Sequence, residues 1–310
     1  MNPLTFTPLY MERVWGGREI ESRLHRPLPA GKVIGEAWEV VDREDAQSVV
    51  SDGPLRGETL HELWSGHREE IFGPRHAGSG ARFPLLCKLL DARDRLSVQV
   101  HPPASVAPQL GGEPKTEMWY FLHCDPGSRI YAGLAPGTTR ASFEEKLRDG
   151  RVEECLHVLP TGEGDSIFIP SGRLHAIGEG NIIVEIQQNS DTTYRVFDWN
   201  RAGLDGKPRA LHLEESLLST DFGDFAPALQ HTGTGVIAAC DHFRVEKRIL
   251  TGPQELSEPG DFALVTVVGG RAACAGNVHA PGDFLLLPAG GAPPVGPEGD
   301  SCTVLVTTIP

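Results

Sequence analysis

The chain has 310 residues, 36 of them glycine and 25 proline, and a formal net charge of -14. That length buries a full core in one large or two medium domains, and the Gly and Pro content beside few long helical patterns favours a turn-rich, mainly β architecture. The negative charge repels a nucleic-acid backbone or an anionic lipid surface, so those partners are excluded, and an anionic substrate has to be held by a few local cations.

The opening residues, Met1 to Phe6, lack the basic and then apolar blocks of an export signal, and no apolar run is long enough to cross a bilayer. The expectation is a soluble, cytoplasmic protein. Cys87, Cys124, Cys155, Cys240, Cys274 and Cys302 are scattered singly without a CxxC pair, which suits reduced thiols better than disulfides or a thiolate zinc site.

In chain order, Leu4 to Trp15 predicts an extended strand closed by a turn at Gly16-Gly17, and Gly35 to Val41 a second, alternating strand. From Glu58 to Phe72 the spacing turns helical: Leu60, Leu63, Trp64 and Ile71 share a face, while His61 and His67, six apart, read as solvated surface histidines. Leu85 to Leu90, Leu96 to His101 and Met118 to Leu122 predict three strands, the last two joined by the Pro/Gly-rich connection Pro102 to Pro114. A second helix is expected over Ser142 to Leu159, with Phe143, Leu147, Val152 and Leu156 inward and a weak spot at Gly150.

Gly164-Asp165-Ser166-Ile167-Phe168-Ile169-Pro170-Ser171-Gly172 reads as turn, strand, turn, and Gly282-Asp283-Phe284-Leu285-Leu286-Leu287-Pro288-Ala289-Gly290 repeats it. Two such units, each after β-rich sequence, predict two related barrels in tandem, with a boundary near Pro227 to Gly235. The first copy leads into His175. The second leads into Gly291-Ala292-Pro293, without a histidine, so the second barrel is expected to be structural.

The chemistry concentrates in the first half. Strand alternation turns Ser97, Gln99 and His101 to one side of Leu96 to Pro102, and sets Lys115, Glu117 and Trp119 on one face of the next strand. If Glu117 lies beside His101, a carboxylate, an imidazole and the Gln99 amide oxygen converge, and His175 completes a ligand set. Mixed N/O ligation suits Zn²⁺, Mn²⁺, Co²⁺ or Fe²⁺; zinc is the expectation, iron the alternative. Singly, each residue has a plainer account: His101 at a strand end, Glu117 paired with Lys115, His175 in a loop.

Along Asn181 to Gln188, Glu185 shares a face with Ile183 and Gln187, either lining a cavity or lying on an exposed sheet. Arg195, flanked by Tyr194 and Phe197, suits a guanidinium held for an anion or oxyanion, with a surface pair to Asp191 or Asp198 as the competing account.

At these residues the chain resembles the type I mannose-6-phosphate isomerases, a family of two-cupin metalloenzymes. The matching phrases are Trp15-Gly16-Gly17, Gly35 to Glu39, Phe83 to Lys88, Leu96 to Pro102, Lys115 to Tyr120, Pro170 to Ala176, and Asn189-Ser190-Asp191 with Arg195. They span most of residues 1 to 225 in the family's order; beyond that the likeness rests on the repeat. A departure is Pro103-Ala104-Ser105 after the His-Pro, where the family commonly carries acidic or amide residues.

The resemblance implies two tandem cupin-type (jelly-roll) β-barrels with small α-helical insertions. A metal-binding catalytic domain would cover 1–225 and a degenerate cupin without a metal site 226–310. It places one zinc ion per chain on Gln99, His101, Glu117 and His175, and catalytic roles on Arg195 and Lys115. Lys88, Glu185 and Asp191 fall in the sugar-phosphate pocket.

The implied reaction interconverts mannose 6-phosphate and fructose 6-phosphate through an enediol, in a monomer with a dimer as the alternative. Glu185, Asp191, Lys115 and a metal-bound water are all chemically able to move the proton. Rival readings are a non-haem iron cupin oxygenase using His101, Glu117 and His175, and a sugar-phosphate-binding cupin without turnover.

Overall fold

A computed structural model describes residues 1–231 and 233–310, and the molecule is mainly β. In the first half, a six-stranded sheet runs in the order Ser166–Ile169, Glu117–Cys124, Asn181–Gln188, Leu85–Ala92, Ile34–Val40, Leu9–Gly17. A five-stranded sheet runs Tyr194–Phe197, Val98–Val100, His175–Ile177, Arg129–Leu134, Leu156–Pro160. Neighbouring strands in both are antiparallel.

Alternation explains how the larger sheet serves two cores. Leu85, Cys87, Leu89, Met118, Tyr120, Val184 and Ile186 point into one apolar cluster; Leu90, Trp119, Phe121 and Ile183 point into another on the opposite face. The Leu85–Ala92 strand is buried along its whole length, and Lys88 lies on the same face as Leu90. One lysine is thereby placed inside the fold.

From Gly235 onward a five-stranded sheet takes the order Gly235–Ala239, Arg244–Leu250, Cys302–Thr308, Ala263–Gly269, Phe284–Leu287. A three-stranded sheet of Asn277–His279, Ala272–Cys274 and Gly296–Pro297 accompanies it. Val265, Val267, Leu285, Leu287 and Val304 fill the space inside with aliphatic side chains. On the other face Leu264, Phe284 and Leu286 join the first half's cluster with Trp64, Phe72 and Phe262, and Leu4 exchanges backbone hydrogen bonds of 2.8 Å with Leu286. The two halves share a core.

The repeated phrase forms corresponding strands, Ser166–Ile169 and Phe284–Leu287, each at the edge of its sheet. The sheets are separate, with no continuous ring of strands among the described residues. All six cysteines are free thiols. Among the described residues no helix is long and apolar enough to cross a membrane.

Three local expectations are corrected. Gly16-Gly17 does not turn; the strand continues to Gly17, and a Cβ on Gly16 would stand 2.4 Å from the Gly35 backbone nitrogen, so these glycines permit close strand contact. The helix expected over 58–72 is a short α-helix, Leu60–Gly66, opened by a Thr59/Glu62 capping box and followed by a π-turn over Arg68–Phe72. The helix expected over 142–159 spans only Arg140–Arg148: Gly150 adopts φ +71°, and Leu156–Pro160 leaves as a sheet strand. Phe143, Val152 and Leu156 are all buried, so the apolar spacing was real but served two kinds of element.

Candidate active site

Strand pairing assembles the polar centre. His175 stands opposite Gln99 in register, His101 follows the Val98–Val100 strand directly, and Glu117 starts a strand on the facing sheet. The ligand atoms of His101, Glu117 and His175 lie within 4.8 Å of one another, and all three side chains are buried. His101 Nε2 is 3.6 Å from Glu117 Oε2, and His175 Nε2 is 3.6 Å from Glu117 Oε1.

The tautomers follow from the outer contacts. His101 Nδ1 donates to the Thr192 carbonyl at 2.8 Å and His175 Nδ1 to the Arg173 carbonyl at 2.9 Å; a carbonyl only accepts, so both protons sit on Nδ1. Each Nε2 therefore carries a lone pair. Burial and the neighbouring His101 push His175 down to about 3, while burial and Lys115 lower His101, so both rings stay neutral. Burial works to raise Glu117, but Lys115 and His101 outweigh it and hold the carboxyl well below the usual range.

Lone pairs and a carboxylate thus face one another in the protein interior. His101 Nε2 and Glu117 Oε1 have no hydrogen-bond partner among the described residues. Such a cluster of acceptors is costly unless a cation sits among them, so the donors present fit a divalent metal of the N/O-preferring kind. The Gln99 amide lies alongside, its Nε2 3.2 Å from His175 Nε2; a half-turn of the amide exchanges nitrogen for oxygen at that place.

Beside this centre is a cavity of about 370 Å³ whose lining includes Gln99, Lys88, Lys115, Glu185, Asp191 and Arg195. Lys115 Nζ lies 2.7 Å from Glu117 Oε2 and 3.8 Å from Glu185 Oε1, and Lys88 Nζ lies 3.4 Å from Glu185 Oε1. Trp119 Nε1 donates to Glu185 Oε2 at 3.0 Å. Burial and the nearby Glu117 raise Glu185; burial opposes the charge of Lys115, yet Glu117 and Glu185 more than compensate and hold its proton more tightly than usual. Glu117 therefore pairs with Lys115 and faces the histidines at once, and Glu185 is an interior carboxylate rather than a surface one.

Asp191 is exposed at the rim. Arg195 sits opposite Gln99 on the neighbouring strand and donates from Nη1 to the Ala210 carbonyl at 2.8 Å. Its Nε has no partner among the described residues, and it pairs with neither Asp191 nor Asp198. His61 and His67 lie elsewhere, each with a side chain 40% exposed.

Arg13, Glu36 and Arg209 also line the cavity without having been singled out. Glu36 receives Arg13 through Nε at 3.2 Å and Nη2 at 2.9 Å, and Trp38 Nε1 at 2.7 Å. Burial opposes its charge, but Lys88 and Arg13 win and hold it at about 2. Period-two alternation places Glu36 and Trp38 on one face, and Arg195, Arg201 and Arg209 form a basic run in an acidic chain; those were the available signals.

The family model described as "Phosphomannose isomerase type I, catalytic domain" matches residues 4–120. The chain is 36% identical over 301 residues to the mannose-6-phosphate isomerase ManA of Bacillus subtilis, covering 93% of each. It is 35% identical over 297 residues to the mannose-6-phosphate isomerase of Streptococcus mutans, covering 92% of each. Among solved structures, the Bacillus subtilis mannose 6-phosphate isomerase superposes with a TM-score of 0.84 at 30% identity, over 100% of both chains.

Proposed function

This chain belongs to the type I phosphomannose isomerases, and from that membership we propose that it is a metal-dependent aldose-ketose isomerase interconverting mannose 6-phosphate and fructose 6-phosphate. The observation that carries the reading is the buried meeting of two imidazole Nε2 lone pairs with the Glu117 carboxylate. His101, Glu117 and His175, with Gln99 through its amide oxygen, would hold one zinc ion per chain. When bound, the ion supplies a Lewis acid that polarises or orients sugar oxygens.

The chain's own groups do the rest. Lys115, kept cationic between Glu117 and Glu185, is placed to steady negative charge on a sugar oxygen, and Arg195 brings a guanidinium with an unused Nε to the developing enediolate. Lys88, Glu185 and Asp191 bind the sugar part of the substrate. Buried walls of Trp119, Leu90 and Ile177 limit water around the intermediate.

The reading includes two tandem cupin-type barrels, residues 1–225 carrying the site and 226–310 forming a degenerate partner. The repeated strand phrase and the aliphatic filling of the second half support it. Free thiols suit the cytoplasm, and every assigned group comes from one chain, so a monomer suffices. The test is incubation of the purified protein with Zn²⁺ and mannose 6-phosphate under anaerobic conditions. Fructose 6-phosphate is expected; its absence from the metal-loaded protein would refute the proposal.

A further inference from the structure

We propose that Arg209, steered by Asp198, recognises the substrate's phosphate in the positive field it shares with Arg195. The inference rests on the isomerase reading and assigns one end of its cavity.

The argument is one of charge balance. The cavity's other cations are matched: Arg13 is held by Glu36 in a two-point pair, Lys88 meets Glu185, and Lys115 meets Glu117 and Glu185. Asp191 acts electrostatically on Lys115, so its charge also falls at that end. A phosphate dianion placed there would meet carboxylates.

The Arg195 side differs. Asp198, buried, is shared between Arg201, whose Nη2 is 3.0 Å from Oδ1, and Arg209, whose Nε is 2.6 Å from Oδ2. Arg201 also pairs with Asp94, its Nη1 3.1 Å from Oδ2, so Asp94 and Asp198 together balance Arg201 and Arg209, and Arg195, with no carboxylate partner of its own among the described residues, is the cation left in excess. Arg209 spends Nε and Nη2 on Asp198, so Nη1 has no protein acceptor among the described residues. Its side chain is 23% exposed, within reach of a ligand.

Backbone contacts fix the two arginines together. Arg195 Nη1 donates to the carbonyl of Ala210, the residue after Arg209. The Arg195 N–H meets His212 Nδ1 at 3.1 Å, and the His212 N–H returns to the Arg195 carbonyl at 2.8 Å. The segment carrying Arg209 thus runs along the Tyr194–Phe197 strand, and the two like charges are kept close although they repel. The spare donors of Arg209 suit an anion of two or more oxygens, and Arg195 adds positive potential beside it while keeping its Nε for the enediolate.

The test uses zinc-loaded protein carrying Arg209→Gln or Arg209→Lys. It compares inorganic phosphate binding by calorimetry, KM and kcat for mannose 6-phosphate, metal content and melting temperature. Arg209→Gln is expected to weaken phosphate binding and raise KM by about tenfold or more, the loss falling mainly on KM, with metal content unchanged. Arg209→Lys, which keeps the charge but loses the fork, is expected to fall between. Phosphate affinity and KM within about twofold of the parent would overturn the assignment. If Arg209→Gln does not fold, the lysine variant decides alone, unchanged phosphate affinity again counting against the assignment. Phosphate binding that depends on Arg209 without turnover would sink the isomerase reading and leave the assignment standing; turnover indifferent to Arg209 would do the reverse.

Discussion

His175 stands opposite Gln99 across an antiparallel pair, and the Gln99 amide nitrogen lies 3.2 Å from Nε2 of that histidine. The amide currently satisfies the lone pair that a metal would take. Rotation about a single side-chain torsion would turn the amide oxygen to that place instead.

His175→Ala and Glu117→Gln should abolish stoichiometric metal in protein purified without added ions. Gln99→Ala should retain metal but bind it about tenfold to a hundredfold more weakly. Elemental analysis and competition with a chelator read both. Full metal occupancy in His175→Ala would mean the ion is held elsewhere.

Arg195→Ala should leave metal content intact and lower kcat by about a hundredfold or more, the scale of losing one oxyanion donor. Steady-state kinetics beside elemental analysis decides this. Near-normal turnover would take Arg195 out of the chemistry.

Gly16→Ala should destabilise the protein by about 1–3 kcal/mol, because the new methyl meets Gly35 nitrogen at 2.4 Å and Ile34 carbonyl carbon at 2.5 Å, and backbone cannot step aside as a flexible side chain can. Denaturant titration measures the loss. An unchanged midpoint would show that the two strands separate without cost.

Asp91, which does not line the cavity, offers a pH prediction. Its Oδ2 accepts from the Glu19 and Ile20 N–H groups at 2.6 and 3.3 Å, while Oδ1 is buried without a partner among the described residues. Burial raises this carboxyl to about 6, against the pull of those N–H groups. Since the folded value lies above the ordinary one, the native state binds more protons in the interval between. This group's contribution therefore falls as pH rises from about 4 to about 6, by on the order of 2 to 3 kcal/mol at most. Urea unfolding across that window should give a flatter profile for Asp91→Asn than for the parent. Matching slopes would mean that Asp91 ionises normally in the fold.

Much of the strand content was legible because alternation is a local property. Leu96 to His101 and Asn181 to Gln188 each reveal two faces from their own residues, and both are observed as β segments with a polar face toward the cavity. Helix ends were less legible. In 142–159 the apolar spacing fits either a helix or a helix followed by a strand, and only the pairing of Leu156–Pro160 with Arg129–Leu134 selects the second. The Gly16-Gly17 pair carries the same ambiguity: a glycine allows a turn or a close contact, and Gly35 across the strand decides which.

By itself the sequence determined the mainly β character, the repeated turn-strand-turn phrase and the residue types of the polar centre, all of which depend on neighbours in the chain. Tertiary structure alone decided that Lys115 neutralises Glu117 while Glu117 faces two histidines, that Arg195 has no carboxylate partner, and that Asp198 holds Arg209 over the cavity. Those are questions of distance between residues far apart in the chain. The electrostatic balance of a site is a sum over such distances, which no local pattern of residues encodes.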